Sequence, residues 1–278
     1  MSKTKIIVVI AAIAAGIYLY TLPKGIIKKE ETPIASGATR DGKKEAPAEA
    51  MQKMHRNETS EKDKNSLKDL TKKYLMVSNP EKKVSFADSL AGKYRRLHQY
   101  DSATKYIEIV AAAKGGSSQW IKAGDYNFEA YSFSDSEGKE KYNENARKYY
   151  NLALDKNAKD YEAKCKLAMT YVGSENPMQG IGLLREVLKD DPKNETAIYQ
   201  LGILSLQSGQ NQKAVDRFKE LIQINPANAN AHYYLGVSLA NTGSKEKAIA
   251  SLEKAKELET DKGFRAAVDD YLAELKSK

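Results

Sequence analysis

The chain has few of the residues on which disulfide frameworks, metal sites and most enzyme active sites depend. Its 278 residues include one cysteine, Cys165, and three histidines, His55, His98 and His232. A single cysteine excludes an intramolecular disulfide, and the histidines are too far apart for a helical metal-binding pair. The sequence also lacks a glycine-rich phosphate loop and a G-x-S-x-G elbow. We therefore expect no enzyme, no cofactor and no bound metal.

The formal charge of +8 is unevenly distributed along the chain. Residues 1–83 hold 17 Lys or Arg against 10 Asp or Glu, whereas residues 84–278 hold 28 against 27. A nucleic-acid-binding protein carries its basic residues on the folded surface. Because the excess lies near the N-terminus, we expect no nucleic-acid partner.

An apolar run without charge extends from Ile6 to Leu22, after Lys3 and Lys5. As a helix it would be about 25 Å long, slightly shorter than a hydrocarbon core of about 30 Å, and small bilayer thinning covers the difference. The alternative is a cleaved signal peptide, whose apolar region is usually shorter and ends at a small-x-small site. The length favours an uncleaved single-pass anchor over residues 1–27. We expect the rest of the chain outside the cytoplasm, in the periplasm if the source is bacterial.

Residues 28–64 contain almost no large apolar side chain. Such a segment cannot offset its ordering entropy, so it is predicted to be a disordered charged linker. Residues 65–83 show apolar side chains at helical spacing and are predicted to form a short amphipathic helix.

The second half of the chain repeats itself every 34 residues. Leu201-Gly202 returns as Leu235-Gly236, and the matching pairs further on are Gly209 and Gly243, Ala214 and Ala248, Phe218 and Leu252. A period of this length with small residues at fixed offsets is typical of stacked helical hairpins, none of which buries its apolar face alone.

The period predicts five units over residues 84–262. Three are regular, at 161–194, 195–228 and 229–262. An earlier unit begins at residue 84, and the unit that contains Trp120 has a polar insertion at about 132–141. Residues 263–278 form one more amphipathic pattern, predicted to be a helix that caps the open end of the stack.

These residues resemble the tetratricopeptide repeat family, whose pattern is W-x2-L-G-x2-Y, then A-x3-F, then P. The resemblance covers residues 84–262, and the layout looks like that of membrane-anchored bacterial members. It implies an all-α fold: a helical-hairpin solenoid with a C-terminal capping helix, preceded by one transmembrane helix and a flexible linker.

The resemblance also implies a concave groove lined by the first helix of each unit. Carried over to this sequence, the groove residues are Cys165, Met169, Tyr199, Ile203, Leu206, Gln207, Asn230, Tyr233, Val237 and Asn241. Such a surface suits an amphipathic helix or an extended apolar peptide. The alternative for each residue is that it packs inside the stack, and for Cys165 a packing role is favoured.

The sequence thus predicts a scaffold or adaptor that is anchored in the membrane through residues 6–22 and binds a protein or peptide partner. Two alternatives stay open. The array could associate with itself as a homo-oligomeric assembly element, or it could act as a chaperone-like factor for exported or membrane proteins.

Overall fold

The computed structural model describes residues 60–134 and 138–277. The predicted anchor at residues 1–27, and the linker up to residue 59, lie outside these residues. Within the described ranges, every helix is too short or too polar to cross a bilayer.

The described part of the chain contains twelve α-helices and no strand. They are α1 Glu61–Met76, α2 Pro80–Arg96, α3 Tyr100–Lys114, α4 Ser117–Phe133, α5 Lys139–Lys156, α6 Tyr161–Val172, α7 Pro177–Asp190, α8 Glu195–Gln207, α9 Asn211–Ile224, α10 Ala229–Asn241, α11 Lys245–Leu258 and α12 Lys262–Ser277. Each helix packs on the next along the chain. The predicted all-α stack of helical hairpins is confirmed.

Two boundaries near the start differ from the prediction. Helix α1 begins at Glu61 rather than 65, because the Ser60 hydroxyl accepts a hydrogen bond from the Asp63 N–H at 3.1 Å. Helix α2 begins at Pro80 rather than 84, with the Asn79 side chain as its cap. Apolar spacing marks where burial begins, whereas capping residues and a proline in the first turn mark where the helix begins.

Small residues in the first helix of a hairpin let the second helix approach. A Cβ atom on Gly202 would lie 2.8 Å from Cζ of Phe218, and one on Gly236 would lie 2.6 Å from Cγ of Leu252. The aromatic or leucine side chain fills the volume that the glycine leaves, so the two backbones pack without a void. The repeated glycine, and the Phe or Leu that faces it, therefore set the distance between the two helices of each hairpin.

The turns repeat with the same period. Gly209 and Gly243 end the first helices of their hairpins with φ of 73° and 80°, a region that glycine adopts without strain. Asn194 caps α8 and Asn228 caps α10. Each side chain accepts a hydrogen bond from the backbone N–H three residues later, at 3.0 Å.

The last helix covers the end of the stack. Phe264, Val268 and Leu272 of α12 are buried against Leu252 and Ala255 of α11. The opposite side of α12, with Asp270, is exposed. This arrangement places a charged surface where the next hairpin would otherwise pack.

Candidate protein-binding surface

The ten predicted groove residues lie on α6, α8 and α10, which are the first helices of the last three hairpins. Four of them, Cys165, Met169, Tyr199 and Ile203, are only 1% to 8% exposed. In this conformation they offer almost no surface to a partner. For these four residues the structure corrects the expectation of an open groove, because packing between neighbouring hairpins occupies their side chains.

Tyr199 shows how that packing arises. Its ring centre lies 6.2 Å from that of Phe218 in the same hairpin and 5.7 Å from that of Tyr234 in the next. Both contacts are edge-on, the geometry that aromatic rings prefer. Tyr199 therefore joins two hairpins rather than standing open on one.

Cys165 is a packing residue of the same kind. It lies in an apolar cluster with Leu184 and Val187. Burial, followed by the nearby carboxylates of Asp191 and Glu162, raises the pKa of its thiol to about 12. The thiolate form that reacts and binds metals is therefore strongly disfavoured.

The other six predicted residues keep accessible surface. Asn241 is exposed, and the half-buried members are Leu206, Gln207, Asn230, Tyr233 and Val237. The Asn241 amide donates to the side-chain oxygen of Asn211 at 3.4 Å, whereas the Gln207 side-chain nitrogen is buried and has no hydrogen-bond partner among the described residues. Apolar and amide groups thus alternate on this part of the molecule.

Tyr233 of α10 also packs against the capping helix α12. Its ring centre lies 5.8 Å from that of Phe264 and 6.5 Å from that of Tyr271, both on α12. Burial, with the neighbouring tyrosines Tyr234 and Tyr271, raises the pKa of its hydroxyl to about 12. Tyr233 therefore forms the border of the accessible surface next to α12.

Sequence reasoning missed a series of ion pairs between the first helices of the earlier hairpins. The Lys122 ammonium lies 2.5 Å from the Asp88 carboxylate, and Arg95 pairs with Glu129. Both pairs join α2 to α4 across 34 residues. A search of the sequence for opposite charges one period apart could have found both pairs.

A third pair continues the series from α4 to α6, where Lys166 lies 2.7 Å from Asp125. Asp125 also accepts a hydrogen bond from the buried Tyr150 hydroxyl at 2.8 Å. These residues are 41 apart in sequence, because the inserted segment of the second hairpin separates them. A search at a fixed period does not find this pair.

One of these ion pairs, Asp88–Lys122, uses the same positions in the repeat as the aromatic pair Tyr199–Tyr234. Asp88 stands two residues before Leu90, and Lys122 stands one residue before Ala123. In the later hairpins, Tyr199 stands two before Leu201 and Tyr234 one before Leu235. The same contact between neighbouring first helices is therefore ionic early in the stack and aromatic late in it.

The number of charged residues on the first helices falls along the stack. Helix α2 carries seven, α4 and α6 three each, α8 only Glu195, and α10 none. Burial of the Glu129 carboxyl on α4 raises its pKa, and Arg95 opposes that rise. The accessible residues of α8 and α10 thus form a surface without charge, here termed the α8–α10 surface. Its residues are Leu206, Gln207, Asn230, Val237 and Asn241, with Tyr233 at its border.

In the described part of the chain, no group of three or more His, Cys, Asp or Glu side chains could hold a metal ion.

Two family models match the hairpins that contain this surface. One is described as TPR repeat and matches residues 205–243, and the other is described as tetratricopeptide repeat and matches residues 229–262. The hairpin period, the small residues that face large ones and these matches together identify residues 205–262 as tetratricopeptide repeats. No curated protein matches the sequence.

Two solved structures share the fold. A tetratricopeptide repeat protein from Parabacteroides merdae is 17% identical, with a TM-score of 0.54 over 82% of this chain and 88% of its own. A thermophilic TPR protein from Thermus thermophilus is 15% identical, with a TM-score of 0.52 over 68% of this chain and 99% of its own. At these identities the likeness concerns the fold alone.

Proposed function

We propose that this chain is a membrane-anchored scaffold that binds a protein partner through the α8–α10 surface. One observation carries the proposal: α8 and α10 present half-exposed apolar and amide side chains with no charge beyond Glu195, whereas ion pairs join α2 to α4 and α4 to α6. The later hairpins therefore have the composition that a protein interface favours.

The chemistry of the surface selects the kind of partner. Val237 and Leu206 offer apolar contact, while the exposed amide of Asn241 offers donors and an acceptor for a partner backbone. A charged tail would gain no ion pair here. An amphipathic helix or an extended apolar peptide fits this mixture best.

Site-specific crosslinking in cells tests this surface. A photoreactive side chain at Val237 is expected to capture a discrete protein, and the same group at Ala250, exposed on α11, is the matched control. Adding Asn241→Lys should reduce capture at 237, because it places a charge on the surface. The paired reversal Asp88→Lys/Lys122→Asp should leave capture unchanged. Equal capture from positions 237 and 250 would remove the α8–α10 surface from the proposal.

The membrane anchor is a separate part of the proposal, supported by the uncharged run of residues 6–22. Its test is extraction of cell membranes at alkaline pH, which releases peripheral proteins and retains spanning ones. Protease treatment of intact and opened cells then reports the side on which the hairpins lie. Release at alkaline pH contradicts the anchor, and digestion only after the cytoplasmic membrane has been opened contradicts an extracytoplasmic location.

Light scattering on the detergent-solubilised chain separates the scaffold from self-assembly. The scaffold predicts a mass that does not change with protein concentration. A mass that rises with concentration would favour an assembly element. The exposed outer side of α12, with Asp270, argues against end-to-end stacking of copies.

A further inference from the structure

We propose that the turn between α1 and α2 contacts the surface of an anionic lipid bilayer. This turn and its flanks, residues 72–83, are here termed the α1–α2 tip. Leu75 and Met76 at its centre are 69% and 72% exposed. Together with Met178, they are the only large hydrophobic side chains that the described residues leave exposed.

Basic side chains surround these two apolar residues. The tip contains four exposed lysines and one acidic residue; the lysines are Lys72, Lys73, Lys82 and Lys83, and the acidic residue is Glu81. None of the four lysines forms an ion pair with another described residue. The Lys83 ammonium lies 5.4 Å from the ring centre of Tyr74, which leaves its charge at the surface. The tip therefore has an uncompensated positive charge around an apolar centre.

The rest of α1 is held on the stack, so the exposure of the tip does not come from a detached helix. Tyr74 packs edge-on against Tyr106 of α3, with ring centres 5.4 Å apart. Asp63 pairs with Lys93 of α2 at 3.2 Å, and Leu67 is buried. A fixed helix end thus presents Leu75 and Met76 to the surroundings.

The combination of charge and apolar exposure points to lipid rather than to another protein surface. The free energy falls when apolar side chains enter the boundary between headgroups and acyl chains, and nearby lysines are attracted to anionic headgroups. Long lysine stems can follow the apolar residues inward while their ammonium groups stay among the phosphates. The exposed Met178 has no such surroundings, since its neighbours in sequence are Pro177 and Gln179.

The inference does not depend on the proposed anchor or on the α8–α10 surface. It concerns local contact at one turn, and a local probe can detect that contact whether or not residues 6–22 cross the bilayer. The tip follows the predicted linker in sequence, so an anchored chain would keep it near the membrane at high local concentration.

The test uses the full chain carrying an environment-sensitive nitrobenzoxadiazole (NBD) label at Met76→Cys. The matched control carries the label at Met178→Cys, an equally exposed methionine outside the tip. The wild-type chain gives the background labelling of the buried Cys165. Vesicles are made from phosphatidylcholine alone or with phosphatidylglycerol, and their brominated acyl chains quench a label that enters the bilayer.

We expect quenching at position 76 in vesicles with phosphatidylglycerol, and little quenching at 178. Replacing the four tip lysines with glutamine should weaken the contact by at least about tenfold, as should pure phosphatidylcholine. Quenching that is equal at 76 and 178, or that ignores lipid charge, overturns the proposal. So does a label at 76 that stays unquenched and changes its emission only when a protein partner is added.

Flotation of the same vesicles at high salt reports the N-terminal anchor separately. Flotation without quenching at 76 supports the anchor and refutes the tip. Quenching at 76 without flotation at high salt supports the tip and refutes the anchor.

Discussion

The first two hairpins and the last two share one geometry but differ in the chemistry of their contacts. Between α2 and α4 the neighbouring first helices are joined by Asp88–Lys122 and Arg95–Glu129. Between α8 and α10 they are joined by Tyr199–Tyr234. The backbone arrangement therefore does not require one kind of contact at these positions.

The comparison distinguishes the contacts that stabilise the stack from the contacts that determine the chemistry of its surface. In both regions the hairpins close through a small residue facing a large one, Gly124 against Tyr150 and Gly202 against Phe218. Partly exposed ion pairs add little stability. Early in the stack, the charged contacts therefore contribute mainly to the polarity of the surface. On the later face the accessible side chains are apolar or amide groups instead.

The largest expected effect comes from Phe218→Ala. Phe218 is fully buried and contacts Gly202, Tyr199 and Tyr234, so the substitution should cost about 3–5 kcal/mol of unfolding free energy. Hydrogen exchange should show the loss in α8 to α11 and little change in α2 and α3, because repeat stability is local.

The control for this substitution is Phe86→Ala on α2. Phe86 is half-buried and belongs to none of the apolar clusters. Its substitution should therefore lower the free energy of unfolding clearly less than Phe218→Ala does. A uniform loss of exchange protection from α2 to α11 would mean that the two regions do not unfold separately.

Gly202→Ala is expected to have the next largest effect. The new Cβ would lie 2.8 Å from the Phe218 ring, and the overpacking should cost about 1–3 kcal/mol in urea unfolding. Gly182→Ala on α7 is the matched control, since a Cβ there meets nothing within 4 Å. It should raise stability by up to about 1 kcal/mol through helix propensity. Equal losses at both glycines would contradict the packing argument.

Double-mutant cycles should distinguish the two kinds of contact directly. The side chains of Lys122 and Asp88 are 39% and 32% exposed, so their coupling should be about 0–1 kcal/mol and should fall with salt. The coupling of Tyr199 and Tyr234 should be about 0.5–1.5 kcal/mol and should not depend on salt. Alanine substitutions at 0.05 and 1 M salt supply both cycles. A salt-insensitive coupling of Lys122 with Asp88 would show that the early contact is not mainly electrostatic.

The last prediction concerns the reactivity of Cys165, which lies on α6 between the two regions, rather than stability. Because its pKa is raised to about 12, the folded chain should react with a thiol reagent at pH 8 more than about a thousandfold more slowly than the urea-unfolded chain. The native rate should still be rising at pH 10. A plateau near pH 9 would show a thiol with an ordinary pKa and an accessible site.

The sequence predicted much of the fold because its recurring residues each meet a repeated geometric need. Gly202 and Gly236 allow close approach, Gly209 and Gly243 end helices, and Asn228 caps the next helix. The first boundaries were less accurate because Ser60 and Pro80, rather than the apolar spacing, fix where α1 and α2 begin.

The candidate site was predicted less well. Family positions indicated which residues lie on first helices but not how far the neighbouring hairpin covers them. Tyr199 and Ile203 are buried by the adjacent hairpin, while Val237 keeps accessible surface near the capped end. The pair of Asp125 and Lys166 was hidden because an insertion changes the spacing.

By itself the sequence determined that this protein is a stack of helical hairpins, because a period of 34 residues with glycine facing Phe218 or Leu252 has few other ways to bury its apolar faces. Only the tertiary structure decided which face residues stay accessible. Burial depends on the distance between neighbouring hairpins and on the position of α12 against Tyr233, and neither is encoded in one repeat alone.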